Sequence, residues 1–231
     1  MGVPKTVGVL GGMGPAATVE FFRRLVASTS ASIDQQHLRI VIDNDPTIPD
    51  RTRALLYGGP TPVPALVRMA QRLESAGARV LAMPCNTAHS FLPAIREGVS
   101  VPVVDMISET AGRIEERAVG LLATSGTIGA RIYHRAFGDR GIELIVPTEE
   151  SQRTVGRAIE AIKAARELGE VGDAIAGVVD ELRGLGAEAV VAGCTELSLL
   201  DGGRMPIRWV DALDVLVEAT IREAYREDAD S

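Results

Sequence analysis

The two cysteines of this 231-residue chain stand at matching points of its sequence. Cys85 and Cys194 each follow a short apolar run, and each lies eight residues after a glycine, Gly77 and Gly186 respectively. Such runs are typical of buried parallel strands, so we expect both thiols at equivalent strand ends. Two thiols in this arrangement could approach one carbon atom from opposite sides, one removing a proton while the other supplies one. The pattern therefore favours chemistry that inverts a carbon centre.

Other roles for the cysteines are open on the sequence alone. A single cysteine is most often a small buried hydrophobic residue, but two in matching positions, each followed by polar residues, favour a function. A redox disulfide would form if the two sulfurs touched. A zinc site would need more ligands than Cys85 and His89 supply, and the other histidines, His37 and His134, are typical of surface or helix positions. We therefore predict no metal site.

The residues after each cysteine are predicted to begin a helix. A helix N-terminus lowers a thiol pKa, so we expect one sulfur as a thiolate and the other as a thiol. The backbone amides of Asn86 and Thr87 in the first half, and of Thr195 and Glu196 in the second, would then converge on one spot. Amides at helix N-termini bind anions, so a carboxylate ligand is expected there.

The rest of the chain alternates apolar runs with helical patterns, which predicts parallel sheets with right-handed crossovers. The distance from an opening glycine to the cysteine is similar in the two halves, 77 residues from Gly8 to Cys85 and 74 from Gly120 to Cys194. Similar order and spacing indicate an internal duplication. We predict two similar Rossmann-like α/β domains related by pseudo-twofold symmetry, with the active site in the cleft between them.

The predicted first domain is residues 1–105 with 211–231, which include a closing helix, and the second is residues 106–210. Strands are expected at residues 6–10, 38–44, 79–82, 101–106, 118–123, 142–147, 189–193 and 205–211. Helices are expected at residues 16–26, 62–76, 130–137, 150–166, 172–185 and 212–225, with another that ends at 116.

Composition argues against several classes of protein. The net charge of −7 leaves no basic surface for nucleic acid, and two cysteines do not make a disulfide scaffold. No apolar run reaches the roughly 20 residues of a membrane-spanning helix, and the start lacks the apolar core of a signal peptide. Gly2 and Thr6 match a loose myristoylation pattern, but Gly2 lies directly against a predicted core strand. We expect a cytoplasmic protein whose partner is a small molecule, with no nucleic acid or membrane.

The glycine cluster and the lysines limit the possible cofactors. Residues 11–14, Gly-Gly-Met-Gly, meet neither the Rossmann nor the Walker pattern, and we interpret them as a close approach of backbone to a small ligand. The chain has two lysines, Lys5 before the first strand and Lys163 inside a predicted helix. Neither has a glycine-rich phosphate loop beside it, so pyridoxal phosphate is not expected and no cofactor is predicted.

Arg51 is the strongest candidate for binding a carboxylate. It lies in a proline-rich loop, residues 45–52, at the end of a predicted strand. A guanidinium held in a rigid loop can bind a carboxylate through two hydrogen bonds. The alternative is a surface ion pair with Asp50 or Asp45. Arg53 is the more solvated neighbour.

Five stretches of the chain together resemble the aspartate/glutamate racemase family, whose members are cofactor-independent amino-acid racemases. They are GGMGP at residues 11–15, IPDRT at 48–52, PCNTAH at 84–89, ATSGT at 123–127 and GCTEL at 193–197. These stretches span nearly the whole chain in the order that the family has. Glu196 resembles the aspartate racemase branch, because glutamate racemases of the cell-wall type usually carry histidine at that position.

The resemblance implies two similar α/β domains, a site between them and often a homodimer. It implies that Cys85 and Cys194 are the acid and base, and that Arg51 and a second-half lysine, here Lys163, contact substrate carboxylates. Lys163 departs from the family pattern, because Ala and Ile occupy positions 158–159 where the family has Ile-Tyr, so an ordinary solvated helix residue is the alternative. The candidate substrate contacts are Met13, Arg51, Asn86, Thr87, Thr124, Thr127, Lys163, Thr195 and Glu196.

The predicted reaction is racemisation of an acidic amino acid without pyridoxal phosphate, with aspartate favoured over glutamate. One cysteine thiolate would remove the α-proton while the other thiol protonates the opposite face. A maleate isomerase or hydantoin racemase on the same scaffold is an alternative, whereas the presence of both cysteines disfavours a one-thiol decarboxylase. A non-catalytic protein that binds a metabolite in the same cleft is a further alternative.

Overall fold

The computed structural model describes residues 4–164 and 168–227 and contains two parallel sheets with helices packed on them. The first sheet has the strand order β2-β1-β3, and the second has the order β5-β4-β6-β7. The strands are β1 (Val7–Gly11), β2 (Ile40–Asn44), β3 (Val80–Ala82), β4 (Ala118–Ala123), β5 (Glu143–Ile145), β6 (Ala189–Gly193) and β7 (Arg208–Asp211).

The α-helices fill the intervals between the strands. They are α1 (Pro15–Ser28), α2 (Arg51–Leu56), α3 (Val63–Ser75), α4 (Leu92–Glu97), α5 (Met106–Gly112), α6 (Ser125–Gly129), α7 (Ile132–Gly138), α8 (Glu149–Lys163), α9 (Leu168–Gly184) and α10 (Ala212–Ala224). Short 3₁₀ helices occur at Asp34–Gln36, Thr87–Phe91, Leu197–Leu199 and Gly202–Arg204.

The two halves repeat one topology. In each half the opening strand lies between the next strand and the strand that leads to the cysteine, and all these pairings are parallel. Strands β1 and β6 are buried along their whole length, as expected for continuous apolar runs with helices on both faces. The predicted α/β fold with two similar parallel sheets is therefore confirmed.

Matching turns precede the two cysteine-bearing strands. Gly77 follows α3 with φ +95°, and Gly186 follows α9 with φ +103°. In both turns the residue after the glycine, Ala78 or Ala187, donates its N–H to a carbonyl in the last turn of the helix. This αL termination is the reason for glycine at both positions, because other residues are strained at positive φ.

Some predicted boundaries were wrong. The expected strand at 101–106 is reduced to a single bridge between Val103 and Leu81, since Pro102 has no N–H to donate and the Val103 carbonyl accepts from Arg96 at 2.9 Å. The helix expected to end at 116 ends at Gly112. The helix expected at 130–137 begins two residues later, as α7, and the preceding residues, expected as a loop, form the short helix α6. The predicted end of the 150–166 helix, Arg166, lies outside the described residues.

The closing helix α10 packs back onto the first sheet. Leu213 and Leu216 share a buried cluster with Val9 of β1 and Ala82 of β3. The N–H of Lys5, just before β1, donates to the Ala224 carbonyl at 2.8 Å at the end of α10. The division into domains 1–105 with 211–231 and 106–210 stays a prediction.

Within the described ranges, none of the helices combines the length and apolar character needed to cross a lipid bilayer.

Candidate active site

Both cysteines line one small cavity between the two halves. Cys85 lies three residues beyond the end of β3, and Cys194 directly follows β6, so both stand at the carboxyl edge of a parallel sheet. The thiols are 6% and 5% exposed, and the cavity volume of about 20 Å³ is enough for roughly one water molecule. Its lining residues are Met13, Asp50, Arg51, Thr52, Cys85, Asn86, Thr87, Thr124, Lys163, Cys194, Thr195 and Glu196.

Most of the predicted substrate contacts thus meet in one place. Thr127 is the exception, because it is fully buried and does not line the cavity. Asp50 and Thr52 also line the cavity, although neither was among the predicted substrate contacts. The sequence feature that could have identified Asp50 and Thr52 was their position beside Arg51 in the same loop.

Glu196 holds the Cys194 thiol. The sulfur donates a hydrogen bond to Glu196 Oε2 at 3.0 Å, and Glu196 itself is only 3% exposed. The carboxylate can therefore accept the thiol proton. Glu196 was predicted as a substrate contact, and its pairing with Cys194 was not predicted. The available signal was its position two residues after Cys194.

The prediction that helix N-termini lower the thiol pKa was wrong. The cysteines are followed by short 3₁₀ helices, whose few aligned dipoles are weaker than those of a longer α-helix. Burial raises the pKa of the Cys85 thiol, although Arg51 and the backbone N–H of Ala88 oppose that rise. Burial and then the Glu196 carboxylate raise the pKa of the Cys194 thiol well above its ordinary value. Both cysteines are therefore neutral thiols at neutral pH in this state.

Lys163 reaches the site from the last turn of α8. Its Nζ lies 3.8 Å from Glu196 Oε1, and its side chain is 44% exposed. Burial lowers the pKa of Lys163, but the neighbouring Glu196 carboxylate favours the charged amine, and the net pKa is raised. Lys163 is thus part of the cavity wall rather than an ordinary solvated helix residue.

Arg51 is held by backbone carbonyls. Its guanidinium donates to the carbonyls of Ile48 and Pro49 at 3.2 Å each and to that of Met13 at 3.4 Å. In the described part of the chain it makes no ion pair, and Asp50 instead caps α2 by accepting from the Arg53 N–H at 2.7 Å. The alternative of a surface ion pair between Arg51 and Asp50 is therefore not observed among the described residues.

Three threonine hydroxyls join the two halves at the cavity. Thr87 Oγ1 lies 2.9 Å from the hydroxyls of both Thr124 and Thr127, which are 3.1 Å from each other. Thr124 also caps α6 by accepting from the Thr127 N–H at 3.1 Å. Thr127 therefore supports Thr87 and Thr124 from behind, while those two line the cavity.

Two buried contacts fix the segment around Cys85. His89 Nδ1 lies 2.9 Å from the Cys85 carbonyl, and His89 Nε2 accepts from the Met106 N–H at 3.2 Å, which together require a neutral ring protonated at Nδ1. Burial lowers the pKa of His89 accordingly. Asn86 accepts a hydrogen bond from Tyr133, for which no sequence pattern predicted a role.

A second set of contacts anchors the segment after Cys194. Ser198 donates to Asp211 Oδ1 at 2.6 Å, and Arg24 of α1 donates to Asp211 Oδ2 at 2.6 Å and to the Ser198 carbonyl. Asp211 also caps α10 by accepting from the Leu213 N–H at 2.8 Å. These bonds attach the cysteine segment of the second half to helix α1 of the first.

The glycine cluster at residues 11–14 allows the backbone to pack closely against neighbouring segments. A side chain at Gly12, where φ is +92°, would lie 2.4 Å from the Asp45 carbonyl, and one at Gly11 would lie 2.6 Å from Thr18. The close approach is therefore to the neighbouring loop and helix, whereas a side chain at Gly14 would lie 3.2 Å from Glu196 Oε1. Gly12 and Gly14 also line a wider neighbouring cavity, so contact of this cluster with a ligand stays a prediction.

A wider cavity of about 520 Å³ adjoins the thiol cavity. The two cavities share Met13, Asp50, Arg51, Lys163 and Glu196, and apolar atoms of Pro15 and Ile48 line the outer one. Both cysteines are free, and no group of three metal-ligating side chains comes together within the described residues.

The sequence and the fold were compared with known proteins. The family model described as Asp/Glu/Hydantoin racemase matches residues 10–220. The chain is 28% identical to the broad specificity amino-acid racemase RacX of Bacillus subtilis, over 93% of this chain and 96% of that protein. It is 31% identical to the glutamate racemase of Corynebacterium kroppenstedtii, over 71% of this chain and 60% of that protein.

One solved structure extends the similarity to three dimensions. The aspartate racemase of Picrophilus torridus superposes with a TM-score of 0.86 at 32% identity and covers 96% of this chain and 95% of its own. The family match takes in both cysteine segments and both sheets. This chain therefore belongs to the Asp/Glu/Hydantoin racemase family and is an enzyme of the racemase type.

Proposed function

We propose that this enzyme racemises an acidic amino acid, aspartate in preference to glutamate, by two-base proton transfer between Cys85 and Cys194 without pyridoxal phosphate. The observation that carries the proposal is that two thiols from different sheets line one cavity together with two cationic side chains, those of Arg51 and Lys163. The names of the Picrophilus and Corynebacterium relatives, an aspartate and a glutamate racemase, support an acidic substrate.

The proton transfers begin at the Cys194–Glu196 pair. Glu196 accepts the thiol proton through the existing hydrogen bond, which leaves a thiolate. The thiolate takes the α-proton from one face of the substrate, and the Cys85 thiol gives its proton to the opposite face. The product is the other enantiomer, Cys194 is again a thiol and Cys85 is a thiolate. Substrate of the opposite hand reacts in the reverse direction, starting from the state in which Cys85 is the thiolate and Glu196 holds the proton.

Hydrogen-bond donors must stabilise the negative charge that develops on the α-carboxylate. General base catalysis contributes about 10²–10⁴-fold, which is too little for so weak an acid as an α-proton. Donors oriented in advance contribute most where water is excluded, and both thiols are almost completely buried. We assign this role to Asn86, Thr87 and Thr195, with Thr124 beside them.

Arg51 is the proposed ligand of the side-chain carboxylate. Its guanidinium is half-buried, oriented by neutral carbonyls and without a carboxylate partner among the described residues, so an anionic substrate would supply the missing charge. Lys163 lines the same cavity and is already paired with Glu196. The side-chain carboxylate of the substrate would therefore meet Arg51, which has no carboxylate partner among the described residues, and Lys163, which is paired with Glu196.

A broader substrate range is the second candidate. The Bacillus relative is named a broad specificity amino-acid racemase, and the adjoining cavity of about 520 Å³ has room for side chains larger than that of aspartate. Hydantoins, which the family name includes, are a further substrate class for this scaffold. We also propose a homodimer, as the family resemblance implies, and a location in the cytoplasm, as expected from the composition.

The decisive experiment is proton NMR in D₂O under reducing conditions, with no added pyridoxal phosphate. L-aspartate, L-glutamate and a neutral amino acid are incubated separately with the purified protein. We expect the α-proton signal of aspartate to disappear first, while chiral chromatography detects the D-enantiomer. The Cys194→Ser protein is the matched control and should give no inversion. Faster inversion of the neutral amino acid would favour the broad-specificity candidate, and no exchange with any of them would contradict racemisation of amino acids.

A further inference from the structure

Asn86 has one end of its side-chain amide bonded and the other end unpaired. Its Oδ1 accepts a hydrogen bond from the Tyr133 hydroxyl at 2.6 Å. Its Nδ2 is buried and has no hydrogen-bond partner within the part of the chain that the structure describes. Buried donors in native proteins are nearly always paired, so an unpaired donor on a cavity-lining residue points to an acceptor on a ligand.

Tyr133 reaches Asn86 from the other half of the molecule. It belongs to α7, is completely buried, and its ring lies 5.5 Å from that of Phe137 in a cluster that includes Ile107 and Ala111. A ring packed in this way cannot move away easily. Burial raises the pKa of the Tyr133 hydroxyl above its ordinary value, so the hydroxyl keeps the proton that it donates.

An asparagine amide has two orientations of almost equal shape, which differ in whether oxygen or nitrogen faces a given neighbour. A hydroxyl that donates its proton selects the orientation in which Oδ1 faces it. Nδ2 is then the end that is left for a ligand. The opposite orientation would offer the ligand an oxygen atom, which repels a carboxylate.

We propose that Tyr133 is a positioning residue that fixes the Asn86 amide so that Nδ2 can donate to a substrate carboxylate. Tyr133 does not itself line the cavity, so it acts through Asn86. The inference rests on the proposed function, because an amino-acid substrate supplies the carboxylate.

The first test is a double-mutant cycle of Tyr133→Phe and Asn86→Ala. Tyr133→Phe removes one oxygen atom and keeps the packed ring, and we expect kcat/KM to fall about tenfold, mostly through a higher KM, as for one lost hydrogen bond. In the Asn86→Ala protein, Tyr133→Phe should have no further effect, because the amide that it orients is gone. A tenfold fall in both backgrounds, or no fall in the wild-type background, would overturn the proposal.

The second test needs no change at Tyr133 and therefore does not depend on how well that variant folds. Asn86→Asp keeps an oxygen for Tyr133 to donate to and places a second, negative oxygen where Nδ2 stood. We expect kcat/KM below that of Asn86→Ala, because the new charge repels the substrate carboxylate. Activity equal to or above that of Asn86→Ala would mean that the ligand already faced an oxygen, and would overturn the proposal.

The matched control is Thr220→Val, which removes a buried hydroxyl bonded at 2.7 Å to the Leu216 carbonyl of α10, at a residue that does not line the cavity. It should lower thermal stability without changing KM.

Lack of turnover by the wild-type protein would contradict the proposed function alone. In that case the side-chain amide NMR signals of Asn86, assigned by their loss in Asn86→Ala, still test Tyr133. They should shift when L-aspartate is added to wild type and shift less in Tyr133→Phe, and an equal shift in both would overturn the proposal.

Discussion

The Cys194 thiol donates a hydrogen bond to Glu196 Oε2 at 3.0 Å, and the other oxygen of the same carboxylate lies 3.8 Å from Lys163 Nζ. A thiol, a carboxylate and an ammonium group thus form a chain along the wall of the cavity. The carboxylate keeps the sulfur protonated in the resting state, because its negative charge raises the pKa of the thiol in addition to the larger effect of burial. It is also the nearest acceptor for the proton when a thiolate is needed.

Glu196→Gln should therefore separate the effect of the Glu196 charge on the thiol pKa from the role of Glu196 as the acceptor of the thiol proton. The pKa of the Cys194 thiol should fall, because the variant loses the charge that raises it, whereas kcat/KM should fall about 10²-fold, because the acceptor for the thiol proton is lost. The pKa is measured from the ultraviolet absorbance of the thiolate in a Cys85→Ser background, where one thiol remains. Glu188→Gln, at an exposed residue that precedes β6, is the control and should change neither quantity. An unchanged thiol pKa in Glu196→Gln would contradict the electrostatic role.

Each cysteine should serve one face of the substrate. We expect Cys85→Ser and Cys194→Ser each to lower racemisation by more than about 10³-fold, because a hydroxyl is a much weaker acid than a thiol. In D₂O each variant should still exchange the α-proton of one enantiomer, and the two variants should prefer opposite enantiomers. NMR of the separate L and D substrates measures this. Substantial racemisation by Cys85→Ser would end the two-base scheme.

Arg51→Met should change substrate preference. We expect KM for aspartate to rise about 10- to 100-fold, because a charge-assisted pair with the side-chain carboxylate is lost, while KM for a neutral amino acid changes little. Steady-state kinetics with both substrates measure the difference. Arg53→Met is the matched control, since Arg53 lies on the same helix α2 and is exposed. If Arg51→Met affected both substrates equally, Arg51 would not bind the side-chain carboxylate.

Thr127→Val should reduce activity although Thr127 does not line the cavity. The substitution keeps the shape of the side chain but removes a hydroxyl that lies 2.9 Å from Thr87. We expect kcat/KM to fall about tenfold, because Thr87 loses one of the two partners that orient it. Thr29→Val, which removes a buried hydroxyl at the end of α1, should cost stability but leave kcat/KM unchanged. Equal activity of wild type and Thr127→Val would show that the threonine contacts are only structural.

His89 should make stability depend on pH. Burial lowers the pKa of His89 in the folded state below the ordinary value of about 6.5, so the unfolded chain binds more protons below that pH. The contribution of neutral His89 is complete above about pH 6.5 and is lost as the pH falls, by at most about 1.4 kcal/mol per pH unit. In His89→Gln the free energy of unfolding should fall less between about pH 6.5 and about pH 5.5. His134→Gln, at a half-buried histidine, should change this slope less. Denaturant unfolding at each pH provides the measurement, and parallel pH profiles for wild type and His89→Gln would refute the prediction.

Several features were predictable because they depend on local sequence. The apolar runs at β1 and β6 are continuous, which is typical of strands buried on both faces, and both are completely buried. The glycines at 77 and 186 mark helix ends that need positive φ. Equivalent spacing from these turns to Cys85 and Cys194 then placed both thiols at strand ends. Arg51 was identified from its proline-rich loop in the same way.

The sequence by itself determined the two parallel sheets, the repeat and the pair of cysteines, because each follows from periodicity and spacing within a few tens of residues. Only the tertiary structure decided the pKa values of the two thiols. Their pKa values depend on burial and on Glu196, and the residues after them form short 3₁₀ helices rather than the predicted helices. The partner of Asn86 is Tyr133, 47 residues away. Such contacts are formed by packing between halves, and no local pattern of residues specifies which buried side chains will meet.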